Sequence, residues 1–148
     1  MSELKSRITE DVKSALRAGD KSRLTTLRML TAAIKQREVD ERITLDDAAV
    51  IAIIEKMIKQ RRDAESQYRA GGRPELAQAE AAEIELLKIY LPQALSNSEI
   101  DALLEQALTT TGATGMKDMG KVMGWLKPKV AGRVDMGVLS GRIKSRLG

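Results

Sequence analysis

Residues 50–92 read VIAIIEKMIKQRRDAESQYRAGGRPELAQAEAAEIELLKIYLP. Val50, Ile51, Ile54, Met57 and Ile58 recur at helical steps, the stripe of an amphipathic helix and not the alternation of a strand. Beyond Lys59 the run turns strongly polar. If it stays helical to Ala70 the element is roughly 40 Å long at about 1.5 Å per residue, and its second half projects past the core or pairs with a neighbour. Gly71 and Gly72 end it, and Pro74 suits the first turn of a following helix. That helix is expected to run to Tyr90 or Leu91, with Leu76, Ile84, Leu87 and Leu91 facing a core, and Pro92 stops it. The two segments read as a helical hairpin.

Working outward, the hairpin's first helix is expected to open behind Thr44, with Asp47 three residues on as an acidic variant of the capping box. Asp46 and Asp47 also suit the positive end of the helix dipole. Before it, Asp20 can cap a helix carrying Leu24, Leu27, Leu30 and Ile34. A first helix over 2–17 repeats Leu4, Ile8, Val12 and Leu16 and stops at Gly19. On the C-terminal side LPQALSNSEI, residues 91–100, reads as a hinge. Ser96 and Glu99 fit a capping box opening a helix to about Thr110, with Ile100, Leu103, Leu104 and Leu108 inside. TTTGATG is a loop, and two more helices follow, parted near Gly132. No strand and no internal repeat is evident. The expected fold is all-α in two helical modules: an N-terminal helical domain over 1–92 with the long hairpin, and a small C-terminal three-helix domain over 96–148.

Composition narrows the chemistry. The chain has 148 residues, 43% of them hydrophobic and 31% charged, enough of both for a packed core under a solvated surface. With one Trp, two Tyr and no Phe, that core must be aliphatic. Cys and His are both absent, which removes disulfides, thiolate nucleophiles, zinc knuckles and an imidazole base. The longest apolar run, 48–54, falls far short of the roughly 20 residues that span a bilayer. The N-terminus lacks the regions of a signal peptide. A soluble, cytoplasmic protein is the expectation, without metal, cofactor or membrane partner.

Charge is unevenly spread. From Ala113 onward eight basic residues (Lys117, Lys121, Lys127, Lys129, Arg133, Arg142, Lys144 and Arg146) face only Asp118 and Asp135, a net +6 against −2 for everything before. A basic tail on a near-neutral body is an electrostatic footprint for a polyanion. In this tail Gly120, Gly124, Gly137 and Gly141 interrupt sequence of helical period, although each glycine costs a helix about 0.8–1 kcal/mol against alanine. On a helical wheel Met119, Val122, Met123, Leu126 and Val130 share one arc, and Leu139, Ile143 and Leu147 another. The glycines fall on the other side, near Lys117, Lys121 and Lys144. Two uses fit: close packing of two helix backbones, or a strip free of side chains where a sugar-phosphate backbone can approach. Trp125, at the edge of its arc, fits either a stacking or a boundary residue, and Pro128 should kink or shorten its helix. KQRR at 59–62 reads as a solvated helix face. No metal-ligand spacing, phosphate loop or nucleophile elbow occurs, so the residues argue against a free-standing enzyme.

LRMLTAAIKQREVD, IIEKMIKQRRDAESQY, ELAQAEAAEIELLKIYLP and MKDMGKVMGWLKPKVAGRVD together resemble the YqeY-like family of small bacterial proteins, over nearly the whole chain. The Tyr90-Leu91-Pro92 joint and the Gly-Lys-Val-Met-Gly core carry the likeness most specifically. The family's C-terminal module is similar to the tail domain of GatB, a subunit of the glutamine-dependent aminoacyl-tRNA amidotransferase, in which the tail contacts tRNA. The resemblance implies an all-helical pair of domains and a tRNA-facing strip of Lys117, Gly120, Lys121, Gly124, Lys127, Lys129 and Arg133, which the basic Arg142 and Lys144 would extend. It brings no catalytic site; carbon–nitrogen ligase activity with glutamine as amido-N-donor would come by association alone. The expected function is a non-catalytic tRNA- or RNA-binding accessory protein, with an amidotransferase or an aminoacyl-tRNA synthetase as possible partner. The alternatives are a protein-interaction module, docking through the hairpin helices, and an amidotransferase-associated subunit.

Overall fold

The computed structural model describes residues 2–148, and among them every regular element is helical. The chain divides into two compact units, the first ending at Leu91 and the second spanning Pro92–Gly148.

In the first unit α1 (Glu3–Ala18) is capped by the Ser2 hydroxyl, which accepts from the Lys5 amide, and ends at Gly19 with φ 69°. Ile8 and Ala15 are buried, whereas Leu16 is 58% exposed. The expected spacing drifted: a step of four residues turns 400°, so three steps carry Leu16 about 120° away from Leu4. α2 (Lys21–Glu41) is capped by Asp20 and buries Leu27, Leu30 and Ile34. α3 (Asp47–Ala70) stays helical to its polar end, about 36 Å of helix. Its cap is Asp46, whose carboxylate accepts from the Ala49 amide, and not Thr44. Asp47 instead turns to the start of α1, accepting from the Ser2 hydroxyl and from the Leu4 amide at 3.2 Å.

α4 (Pro74–Lys88) packs back along α3. The chain leaves the helix before Tyr90, through i→i+3 bonds from the Tyr90 amide to Leu87 O and from the Leu91 amide to Lys88 O. The Tyr90 hydroxyl donates to Asp11 at 2.6 Å, tying the end of this unit to α1. KQRR is not wholly solvated either. Arg61 is 7% exposed, and its Nε donates to Glu83 of α4 at 2.9 Å.

The second unit opens with α5 (Asn97–Thr111), whose Ser96–Glu99 capping box is complete in both directions. A 3-10 turn (Met116–Asp118) leads into α6 (Met119–Val130), and α7 (Met136–Leu147) closes the chain. Ile100, Leu104 and Ala107 of α5 meet Val122, Leu126 and Val130 of α6 and Leu139, Ile143 and Leu147 of α7 in one aliphatic core. That core fixes which sides of α6 and α7 face water.

Candidate nucleic-acid interface

With Val122, Leu126 and Val130 inside, Gly120 and Gly124 come out on the exposed side of α6. Gly137 and Gly141 do the same on α7. A methyl group added at Gly120, Gly124 or Gly141 would meet no heavy atom within 4 Å beyond the adjacent backbone of its own helix. At Gly137 it would lie 3.1 Å from Asp135 Oδ1, the oxygen that caps α7 by accepting from the Gly137 and Val138 amides. None of the four glycines is sealed in a contact between helices of the described chain. Backbone-to-backbone packing inside the unit does not account for them.

The cations divide into two groups. Arg133 donates from Nε to the Gln93 carbonyl at 2.9 Å, lies 4.0 Å from Glu99, and accepts at its own carbonyl from the Leu95 amide. Arg142 spans to α5, with Nη1 on Asp101 at 2.8 Å and Nη2 on Asn97 at 2.6 Å. Arg146, also on α7, pairs with Glu105 of α5. These three arginines bind the unit together. The lysines are freer. Lys117, Lys127 and Lys144 are exposed and make no salt bridge with a described residue, and Lys121 reaches Asp118 only at 3.8 Å. Lys129 lies over the Trp125 ring, 3.9 Å from its centroid. Trp125 is half-buried against the core, so it is a boundary residue with one face under a lysine.

Asp118 sits at the head of this face. Its carboxylate accepts from the Thr114 amide at 3.0 Å, and that bond, with Lys121 and Lys117 nearby, holds it below the usual aspartate range. Pro128 neither breaks nor ends α6, which continues to Val130. It lies in the last turn, where only the Gly124 carbonyl loses its i+4 donor.

The tail carries an internal repeat, contrary to the expectation of none. Asp118-Met119-Gly120, Gly124 and Lys127 recur 17 residues later as Asp135-Met136-Gly137, Gly141 and Lys144. Val122, Leu126 and Val130 correspond to Leu139, Ile143 and Leu147, and each member of those pairs is buried. The glycines and the terminal lysine are exposed in both copies. The signal lay in the spacing, hidden because the intervening letters differ. Structurally it yields two helices of 12 residues, each presenting glycine, glycine and lysine to solvent.

The signature of the family described as "Yqey-like protein" matches residues 5–147. The chain belongs to the YqeY-like family. Among curated proteins it is similar to the "Altered inheritance of mitochondria protein 41, mitochondrial" of several fungi. It is 34% identical to that of Lachancea thermotolerans, covering 80% of this chain and 67% of the relative. The counterpart in Eremothecium gossypii is 34% identical, over 84% and 70%, and that in Pyrenophora tritici-repentis 30%, over 96% and 80%. These YqeY-like relatives are named as mitochondrial, which overturns the cytoplasmic expectation. Its premises were the missing cysteines, the absence of a long apolar run and the lack of a signal-peptide pattern, and none of them distinguishes one reducing aqueous compartment from another.

Proposed function

We propose that this YqeY-like protein is a non-catalytic RNA-binding accessory protein whose contact strip is the outer side of α6 and α7. The single observation that supports it is the placement of the glycines. Gly120, Gly124 and Gly141 weaken their helices, no neighbouring group in the fold needs their lack of a side chain, and they open to solvent. A bare helix flank beside Lys117, Lys121, Lys127 and Lys144 lets a phosphate backbone come close to the helix while the ammonium groups neutralise it. The Gly124 carbonyl, without a donor at Pro128, adds an acceptor for a ribose hydroxyl. Arg133 and Arg142 serve the strip by holding α5, α6 and α7 together.

Bulk tRNA titrated against the full chain at several salt concentrations tests the reading. With three to five phosphates neutralised, the log of affinity should fall against the log of salt with a slope of about −2 to −4.5. Lys117→Glu with Lys121→Glu should weaken binding about ten-fold or more at low salt. Binding that is absent at low salt, or unchanged in this double variant, overturns the proposal.

A further inference from the structure

α2 sorts its charges in a way the tail does not. It carries Lys21, Arg23, Arg28, Lys35 and Arg37 against Glu38, Asp40 and Glu41, with Arg42 as its C-cap. Every one of the three carboxylates is engaged. Glu38 accepts from Lys5 Nζ at 2.6 Å and from the Leu45 amide at 2.8 Å, Asp40 from Gln36 at 3.0 Å, and Glu41 from Arg37 at 2.6 Å. Two cations are spent as well, Arg37 on Glu41 and Arg23 on Asp11 at 3.7 Å. The four that remain, Lys21, Arg28, Lys35 and Arg42, follow one another at steps of seven residues. All four are exposed and none forms a salt bridge with a described residue; Lys35 acts on Glu38 only through space.

Seven residues turn a helix about 20° short of two full turns. Lys21, Arg28 and Lys35 therefore lie along one line, about 10.5 Å apart, on the side away from the buried Leu27, Leu30 and Ile34. Thr25 and Ala32 sit between them and Val39 follows Lys35, all exposed, so no carboxylate interrupts the line. A merely solvated face would intersperse opposite charges at i,i+4, as Arg37–Glu41 does. We infer that this line of cations on α2 is a second RNA contact surface, in the N-terminal unit, that grips a phosphate backbone over about 20 Å. The occupant is a polyanion on grounds of charge complementarity, and RNA is favoured over an anionic bilayer because the apolar side of α2 is consumed by the core. The inference does not depend on the glycine strip.

The test uses the full chain with bulk tRNA. Lys21→Gln, Arg28→Gln and Lys35→Gln together should make the log–log salt slope shallower by about 2 to 3 and weaken low-salt binding about ten-fold or more. A charge-matched control, Lys13→Gln, Arg69→Gln and Arg73→Gln, removes cations that are already paired on the surface and should leave the slope unchanged. All six substituted positions are exposed, and circular dichroism should be that of the parent. An unchanged slope in the α2 triple variant overturns the inference, as does an equal change in the control. Binding to phosphatidylserine vesicles that the triple variant loses, with tRNA binding intact, overturns it too. A slope reduced by the α2 variant and untouched by Lys117→Glu with Lys121→Glu sinks the tail strip and leaves α2 standing; the converse pattern does the reverse.

Discussion

Gly19 in the N-terminal unit and Gly124 in the C-terminal unit are the same residue used for opposite reasons. Gly19 ends α1 at φ 69°, and its amide reaches back to the last turn's carbonyls. A side chain there is strained whatever space surrounds it. Gly124 lies within α6, in open space, where alanine would be the better helix residue. The cations differ in parallel. Arg61 of α3 is buried against Glu83, while Lys127 of α6 stands exposed and unpaired. In the N-terminal unit these groups answer to the fold. On the outer side of α6 no contact of the described chain uses them.

The contrast in charge carries the largest expected effect. Glu83→Ala leaves the Arg61 guanidinium with the Met57 carbonyl at 3.3 Å, the Met29 sulfur at 3.6 Å and the charge of Glu80 acting through space. Removing one partner of a buried pair costs about 3–5 kcal/mol. Glu83 keeps a side-chain exposure of 32%, so water offsets part of the loss and about 3 kcal/mol is expected in denaturant unfolding. Lys127→Ala should change stability by no more than about 0.5 kcal/mol. Equal losses for the two variants would erase the distinction.

Gly19→Ala comes next, at about 1–2 kcal/mol of destabilisation, because an L-residue must then adopt the left-handed conformation. Thermal unfolding of the variant measures it.

Tyr90 separates the units by pH. Burial and its bond to Asp11 push the phenol above its ordinary value, although Arg23 and the Arg7 guanidinium, 4.9 Å from the ring, oppose the shift. A raised folded value means the contribution is complete below the unfolded pKa of about 10 and is lost as pH climbs past it. The parent should lose about 1 kcal/mol between pH 9 and pH 11 that Tyr90→Phe does not lose. Both tyrosines lie in the N-terminal unit, and Trp125, the one tryptophan, reports on the other. In the C-terminal unit the depressed groups are acids: Asp118 through the Thr114 amide, Glu99 through the Ser96 cap and Glu105 through Arg146. Their contributions hold above the ordinary carboxylate range and fade as pH falls below about 4.

Much of this was legible in the letters. Helical period, Ser96–Glu99, Gly19 and Pro74 state local facts, and the all-α fold follows from them. The outward side of Gly120 and Gly124 was also legible, since it needs only the wheel and a hydrophobic seam. What stayed hidden was relational. Arg61 looked like part of a solvated cluster because its partner lies 22 residues away on α4, and only packing brings Glu83 to it. Arg133 and Arg142 read as free cations because Gln93, Asn97 and Asp101, which engage them, sit some 40 residues off. Thr44 and Asp47 made a plausible cap until Asp46 competed for the same amides and Ser2 offered Asp47 a better bond. The free lysines were visible as charges, but which cations were free was not.

The smallest effect is the one that couples fold to function. Gly120→Ala, Gly124→Ala and Gly141→Ala meet no steric obstacle, and each should stabilise the chain by about 0.5–1 kcal/mol through helix propensity. Gly137→Ala is a poorer choice, because its methyl group would crowd the Asp135 cap. If the strip exists only to admit a backbone, the triple alanine variant should melt higher than the parent and bind tRNA more weakly, with its salt slope little changed, since every lysine remains. Stability and affinity would then move in opposite directions, a sign that a destabilising residue is held in place by what it lets approach. A variant that gains stability and keeps full affinity would leave the glycines without a role in binding, and the lysines alone would have to account for it.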